Sequence, residues 1–400
     1  MQARPILIAA ALIALVASTG CVGPRVDGAM RAIWVTRFDY KSADDVHRIV
    51  DNCADAGFNA VLFQVRGNGT AFYDSNFEPW ADELGGEDPG FDPLKLAIDR
   101  AHERGVELHA YVNVMPAWTG AKPPTNPDQL YNSHPEWFWY DADGNRQPQM
   151  HQVGDRRRAW YVSINPCLPE VREYLVAVFE DLAARYDIDG LHLDYIRFPN
   201  ERVVPGEEIP DYPRDERTLA LYKQATGLTP DEDEQAWNQW RTDQVTRLVA
   251  DIHEMLRKTR PDALLSASVG SVRERALHHF QDGRQWADDG VIDALILMNY
   301  TDDPQVFADR IGPWLEDGVD VPIIPGLWFG RHKGKTTELA TEAVKEQIEI
   351  GHAKTGHFCV FAYSSLFDSV NAERNARQRS VRQIRRDVLL PVLSELAAEE

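Results

Sequence analysis

A carboxylate closing an apolar run is the first residue that suggests chemistry. In Gly190-Leu-His-Leu-Asp-Tyr-Ile-Arg-Phe198, His192 and Asp194 share one face of a strand while Leu191 and Leu193 take the other. Glycosidic cleavage uses two carboxyl groups, one to protonate the leaving oxygen and one as nucleophile or base. Asp194 is the first candidate. For its partner the sequence offers Asp39 after the first strand, Glu274 or Asp282 after the fifth, and Asp302 or Asp303 after the sixth. If Asp194 is the nucleophile, an acid after strand five, such as Asp282, faces it. If Asp194 is the acid, Asp39 activates water.

Polar residues also stand near the ends of the other apolar runs, where a barrel interior would need only branched apolar chains. Arg37, Gln64, Arg66, His109, Asn113, His192, Arg197, Asn299, Tyr300 and Trp328 are therefore candidate substrate contacts. Tyr111 shares a face with His109 and Asn113, and Ser266 with Ser268. Asp189 precedes the fourth strand and reads as a turn residue. His109, His192 and Asp194 could in principle meet around zinc. No His-x-His marks strand one and no Lys stands at the tip of strand four, so no metal is expected. No cofactor is expected either.

These side chains need elements to hold them. Eight apolar strand-like runs alternate with helical patterns: Arg31–Phe38, Asn59–Arg66, Glu107–Met115, Gly190–Phe198, Leu264–Val269, Ile292–Tyr300, Pro322–Leu327 and Gly356–Tyr363. The helices fall over Ser42–Ala56, Asp92–Arg104, Pro169–Tyr186, Asp233–Arg260, Arg273–Asp288, Val306–Glu316, Glu338–His352 and Ser380–Ala397. Eight strand-helix units predict an α/β fold, a closed (β/α)8 TIM barrel. An open doubly wound sheet usually has fewer strands, and no glycine-rich phosphate loop follows the first strand here. Three connections exceed the usual 2 to 6 residues: 67–91, 116–168 and 199–229, all leaving strand C-termini, where a barrel builds its site. The second carries Trp118, Tyr131, Trp137, Phe138, Trp139, Tyr140, Trp160 and Tyr161. About half of these are expected to pack the insert and the rest to stack on sugar rings.

Forty-two basic and 63 acidic residues give a net charge of −21, which excludes a broad nucleic-acid surface. Residues 1–20 have the layout of an export signal: a short basic opening, an apolar stretch from Ile6 to Ala17, then Ser18-Thr19-Gly20 before Cys21. Cys21 is the expected lipidation site, 21–29 a linker and 30–400 the barrel, so the expected location is the bacterial envelope, lipid-anchored to a membrane. Cys53, Cys167 and Cys359 lack metal or disulfide spacing and read as buried small hydrophobes.

Several motifs in order resemble the bacterial glycosyl hydrolase-like family ten, long known as an uncharacterised domain family. They are Arg31-Ala-Ile-Trp-Val, Gly57-Phe-Asn-Ala-Val-Leu-Phe-Gln-Val-Arg-Gly67, Gly105-Val-Glu-Leu-His-Ala-Tyr-Val-Asn113, Tyr186-Asp-Ile-Asp-Gly-Leu-His-Leu-Asp-Tyr-Ile-Arg-Phe-Pro199 and Met298-Asn-Tyr-Thr301. The resemblance covers about residues 28–370. It implies a barrel glycosidase, often an envelope lipoprotein, acting on peptidoglycan glycan strands stripped of peptide or on exopolysaccharide, with Asp194 as the catalytic candidate. Many relatives carry two adjacent acids before the Tyr; this chain has Leu193-Asp194-Tyr195, which weakens the peptidoglycan reading. The competing expectation is a catalytically inert glycan-binding lipoprotein on the same barrel.

Overall fold

The computed structural model describes residues 28–153, 156–199, 211–316, 318–331, 334–370 and 376–399, and only the backbone of 151–153, 156–158 and 331. Cys21, the expected export signal and most of the linker lie outside the described residues.

Eight parallel strands close into a barrel: β1 Arg31–Val35, β2 Ala60–Arg66, β3 Glu107–Asn113, β4 Gly190–Asp194, β5 Leu264–Gly270, β6 Ala294–Met298, β7 Ile323–Trp328 and β8 Phe358–Phe361. Each strand pairs with its neighbours in sequence, and β8 returns to β1, with Arg31 opposite Phe358 and Trp34 opposite Phe361. All eight expected strands are present. Their C-terminal ends stop earlier than the apolar runs do at β1, β3, β4, β6 and β8, because the last residues of those runs turn into the loops.

The returning helices are α1 Ala43–Asp55, α2 Pro93–Glu103, α3 Pro169–Arg185, α4 Glu234–Thr259, α5 Gly283–Asp288, α6 Pro304–Glu316, α7 Thr337–Thr355 and α8 Ala376–Ala398. Local chemistry fixes their ends. Ser42 and Asp45 form a reciprocal capping box at α1, and Asp92 caps α2 ahead of Pro93. Gly356 closes α7 at φ 75°, a conformation that costs glycine nothing. The single helix expected over Arg273–Asp288 is instead two pieces, Arg273–Leu277 and α5. Phe280 takes a φ of 54°, which breaks the first, and Asp282 caps the second by accepting from the Gln285 N–H.

Alternation along the strands separates two apolar regions. Outward residues such as Ile33, Val61, Val112 and Leu193 pack under the helices. Inward residues such as Ala32, Trp34, Leu62, Tyr111 and Ile296 fill the barrel. The long insert after β3 folds into two two-stranded antiparallel sheets, Pro116–Thr119 with Tyr161–Ser163 and Met150–Val153 with Arg156–Ala159. Trp118, Trp137, Phe138 and Trp139 are buried in the main apolar core, Trp137 against Tyr174 of α3 and Trp139 against Phe198 and Tyr212 after β4, while Trp160 and Tyr161 keep part of their surface exposed. The insert after β4 carries the helix Glu216–Thr226. No described helix is long and apolar enough to cross a membrane.

Candidate active site

The register of β3 against β4 stacks the inward side chains in layers. His109 lies opposite Gly190, Tyr111 opposite His192, and Asn113 opposite Asp194. The lowest layer is the barrel floor. His109 bonds the Glu107 carboxylate at 3.0 Å, and its ring occupies the space of a side chain at Gly190, where a Cβ would stand 2.3 Å from Nδ1. His109 was expected near the substrate; four residues below the strand tip, it cannot reach the mouth.

His192 forms the middle layer and is also corrected from substrate contact to interior brace. It is fully buried. Trp34 Nε1 donates to its Nε2 at 3.1 Å, where the Ser268 hydroxyl also sits at 2.9 Å. With Nε2 accepting, the ring proton belongs on Nδ1, which faces Ser266 Oγ at 2.9 Å. Burial, aided by His109, pulls the His192 pKa down to about 3, so the ring is neutral. Its nitrogens are committed to these partners. Among the described residues no three His, Cys, Asp or Glu side chains are grouped to hold a metal.

Tyr111 bridges this brace to the mouth. Its ring meets His192 edge-on at 5.5 Å, and its hydroxyl donates to Asp194 Oδ2 at 2.8 Å. The Tyr195 N–H donates to Asp194 Oδ1 at 2.7 Å, with Tyr195 itself at φ 51°. Burial raises the Asp194 pKa, against the opposing pull of the Arg197 charge and these two hydrogen bonds. Asp194 retains 9% exposure at the barrel's C-terminal end.

Aromatic rings flank it on two sides. Tyr195 packs against Tyr161 at 5.1 Å, and the Arg197 guanidinium lies 4.7 Å from the Tyr195 ring centre. The Tyr161 hydroxyl accepts from Arg37 Nη1 at 3.1 Å, and Arg37 also pairs with Glu83 at 2.9 Å and lies 4.4 Å from the exposed Phe38 ring. From the other side, Tyr300 contacts Trp328 at 5.6 Å and Phe361 at 5.9 Å. All three keep partial exposure. The Asp194 charge reaches Tyr300, whose hydroxyl is pushed well above its ordinary range, by burial first.

The remaining expected residues serve the scaffold. Arg66 and Glu78 form an ion pair at 2.7 Å with neither side chain exposed, and Arg66 also donates to the carbonyls of Asn113 and Val114. Gln64 accepts from the Arg37 N–H at 3.0 Å. Asn113 donates to the Gly67 carbonyl, and Asn299 to that of Phe307, both at 2.9 Å. Each of these is fully or almost fully buried. Of the carboxylates offered as partners, Asp39 and Asp282 are engaged elsewhere. Asp39 is 2% exposed and accepts at Oδ2 from both the N–H and hydroxyl of Thr36 at 2.8 Å. Asp282 caps α5 and holds Arg273 through two bonds of 3.0 and 2.9 Å. Asp189, read as a turn residue, accepts from Leu108 N–H at 2.7 Å and faces His102 at 2.9 Å.

Sequence reasoning left Tyr195 and Phe361 unassigned, named Tyr111 only for its face, and named Tyr161 only among the insert's aromatics. Alternation places Tyr111 on the Asn113 face, so its direction was readable. Tyr161 reaches the mouth because its strand returns to pair with Pro116–Thr119, and nothing local signals that.

The model of the family described as Glycosyl hydrolase-like 10 matches residues 29–320. Glycosyl hydrolase DigH of Escherichia coli is 25% identical over 350 residues, covering 75% of this chain and 72% of that protein. Glycosyl hydrolase YngK of Bacillus subtilis is 26% identical over 308 residues, covering 68% and 54%. Among solved structures, the PgaB (BpsB) glycoside hydrolase domain from Bordetella bronchiseptica aligns with a TM-score of 0.58 at 15% identity, over 89% of this chain and 98% of that one. The catalytic domain of a β-amylase from Paenibacillus polymyxa gives 0.59 at 10% identity, over 93% and 99%. These structures share the barrel.

Proposed function

Because the chain belongs to the glycosyl hydrolase-like 10 family, we propose that it hydrolyses O-glycosidic bonds of an extracytoplasmic glycan with Asp194 as the reacting carboxylate. One observation carries this: Asp194 ends β4 at the barrel mouth, its oxygens held by Tyr111 and the Tyr195 N–H, between partly exposed aromatic rings. Apolar faces with polar edges suit pyranose rings. The raised carboxyl suits proton donation. Its O–H bond breaks as the glycosidic oxygen departs. Water supplies the hydroxyl at the anomeric carbon and the proton that returns to the carboxylate.

The substrate class is peptidoglycan glycan strands or an exopolysaccharide, and Cys21 carries the lipid anchor; the family's glycosyl hydrolase-like description supports a glycan and the N-terminal sequence supports the anchor. A second reading, a glycan binder without turnover, is favoured by one fact: Asp39 and Asp282 are both spent on their own hydrogen bonds.

The test is digestion of peptide-free peptidoglycan strands and purified exopolysaccharides, followed by new reducing ends and mass spectrometry. Asp194→Asn should lower turnover at least about 100-fold while keeping its melting temperature and glycan binding. Equal cleavage by the Asn variant would remove Asp194 from the reaction. Glycan binding without cleavage by the natural chain would favour the second reading.

A further inference from the structure

We infer that Tyr111 is a positioning residue that fixes the Asp194 carboxylate through one phenolic hydrogen bond, itself held in place by the neutral His192 brace in the barrel interior. This rests on Asp194 being the reacting group.

The geometry leaves Tyr111 little freedom. It is 4% exposed, and its register places it on the interior face one layer below Asp194. Its ring stands on the edge of His192, which is fixed from three sides by Trp34, Ser266 and Ser268. The phenol's bond, at 2.8 Å, goes to Asp194 Oδ2. Burial keeps the phenol protonated far above neutral pH, so it remains a donor to the carboxylate. Among the described residues, the groups facing Asp194 are Tyr111 from β3, Tyr195 and Arg197 from its own loop, and Tyr300 after β6. Of these, Arg197 is the cationic one. Tyr161 faces both Tyr111 and Tyr195. Among the described residues Asp194 accepts two hydrogen bonds; the Tyr195 one is backbone, so the Tyr111 bond is the one a side-chain substitution removes.

A hydrogen bond to a carboxylate favours its ionised form. Removing the donor in Tyr111→Phe should therefore raise the Asp194 midpoint by about one pH unit. Replacing Tyr111 by 3,5-difluorotyrosine, a stronger donor of the same shape, should lower it. The readout is carboxyl 13C NMR of aspartate-labelled protein, with the Asp194 resonance identified by its loss in Asp194→Asn. This measurement needs no substrate. On the glycan that the natural chain cleaves, Tyr111→Phe should move the carboxyl-controlled limb of the pH profile in the same direction and lower kcat about tenfold, with KM changed less than about threefold. The melting temperature reports whether the phenylalanine variant keeps its fold; if it does not, the fluorinated chain decides. An unmoved Asp194 midpoint in a folded variant, or shifts of the same sign in both, overturns the inference. That result leaves the assignment of Asp194 standing if Asp194→Asn has lost turnover. Retained turnover in Asp194→Asn defeats the assignment whatever Tyr111 does.

Discussion

Arg66 ends an apolar strand beside the mouth, the position that suggests a sugar contact, yet it is fully buried against Glu78. The two roles predict opposite behaviour. Removing one member of a buried pair strands the other charge, at a cost of about 3–5 kcal/mol. For 400 residues, an unfolding entropy of about 2 cal/mol/K per residue makes that about 5 °C in melting temperature. Glu78→Gln and Arg66→Met should each fall by that order. The double variant Arg66→Met with Glu78→Leu removes both charges and should recover part of the loss. Recovery stays incomplete because Arg66 also serves the carbonyls of Asn113 and Val114, which then lose a donor. Calorimetry supplies the melting temperatures, and titration with the bound glycan supplies affinity. An Arg66→Met variant that melts like the natural chain but binds glycan at least about tenfold more weakly would refute the scaffold role and restore the contact.

Two further outcomes test the reading. Asp282→Ala should cost about 1 kcal/mol for the lost helix cap, with little added by the half-exposed Arg273, and should keep turnover within about threefold of the natural chain; urea midpoints and a rate assay check both, and loss of turnover at unchanged stability would return Asp282 to the catalytic set. His192 has its pKa lowered from 6.5 to about 3, so its contribution is complete above the unfolded value and is lost as pH falls from 6.5 towards 3, where the unfolded chain takes up a proton that the native one refuses. His192→Gln should show a shallower decline of urea midpoint between about pH 7 and about pH 4; parallel curves for the two proteins would show that this imidazole does not drive acid sensitivity.

The barrel was readable because parallel strands covered by helices on the outside leave continuous apolar runs, and the helix starts at Ser42 and Asp92 mark their own positions. The place of Asp194 at a strand tip was readable because it closes an apolar run. The companions were not. Alternation gives the direction of a side chain but not its height, so His109 and His192 looked equivalent to Asn113 and Asp194 although they lie in lower layers. Partners supplied by inserts have no local signal: Glu78 comes from the loop after β2 and Tyr161 from a returning strand late in the insert after β3. Asp282 misled because a cap and an acid look alike without the Gln285 amide and Arg273 beside it.

The seating of His109 over Gly190 has a consequence for redesign. A Cβ on Gly190 would stand 2.3 Å from the imidazole, so neither position can be enlarged without shrinking the other. The two form a plug at the end of the cylinder remote from the long inserts. Exchanging an insert leaves that plug untouched, so new loops grafted at the open end inherit a foundation that needs no repacking.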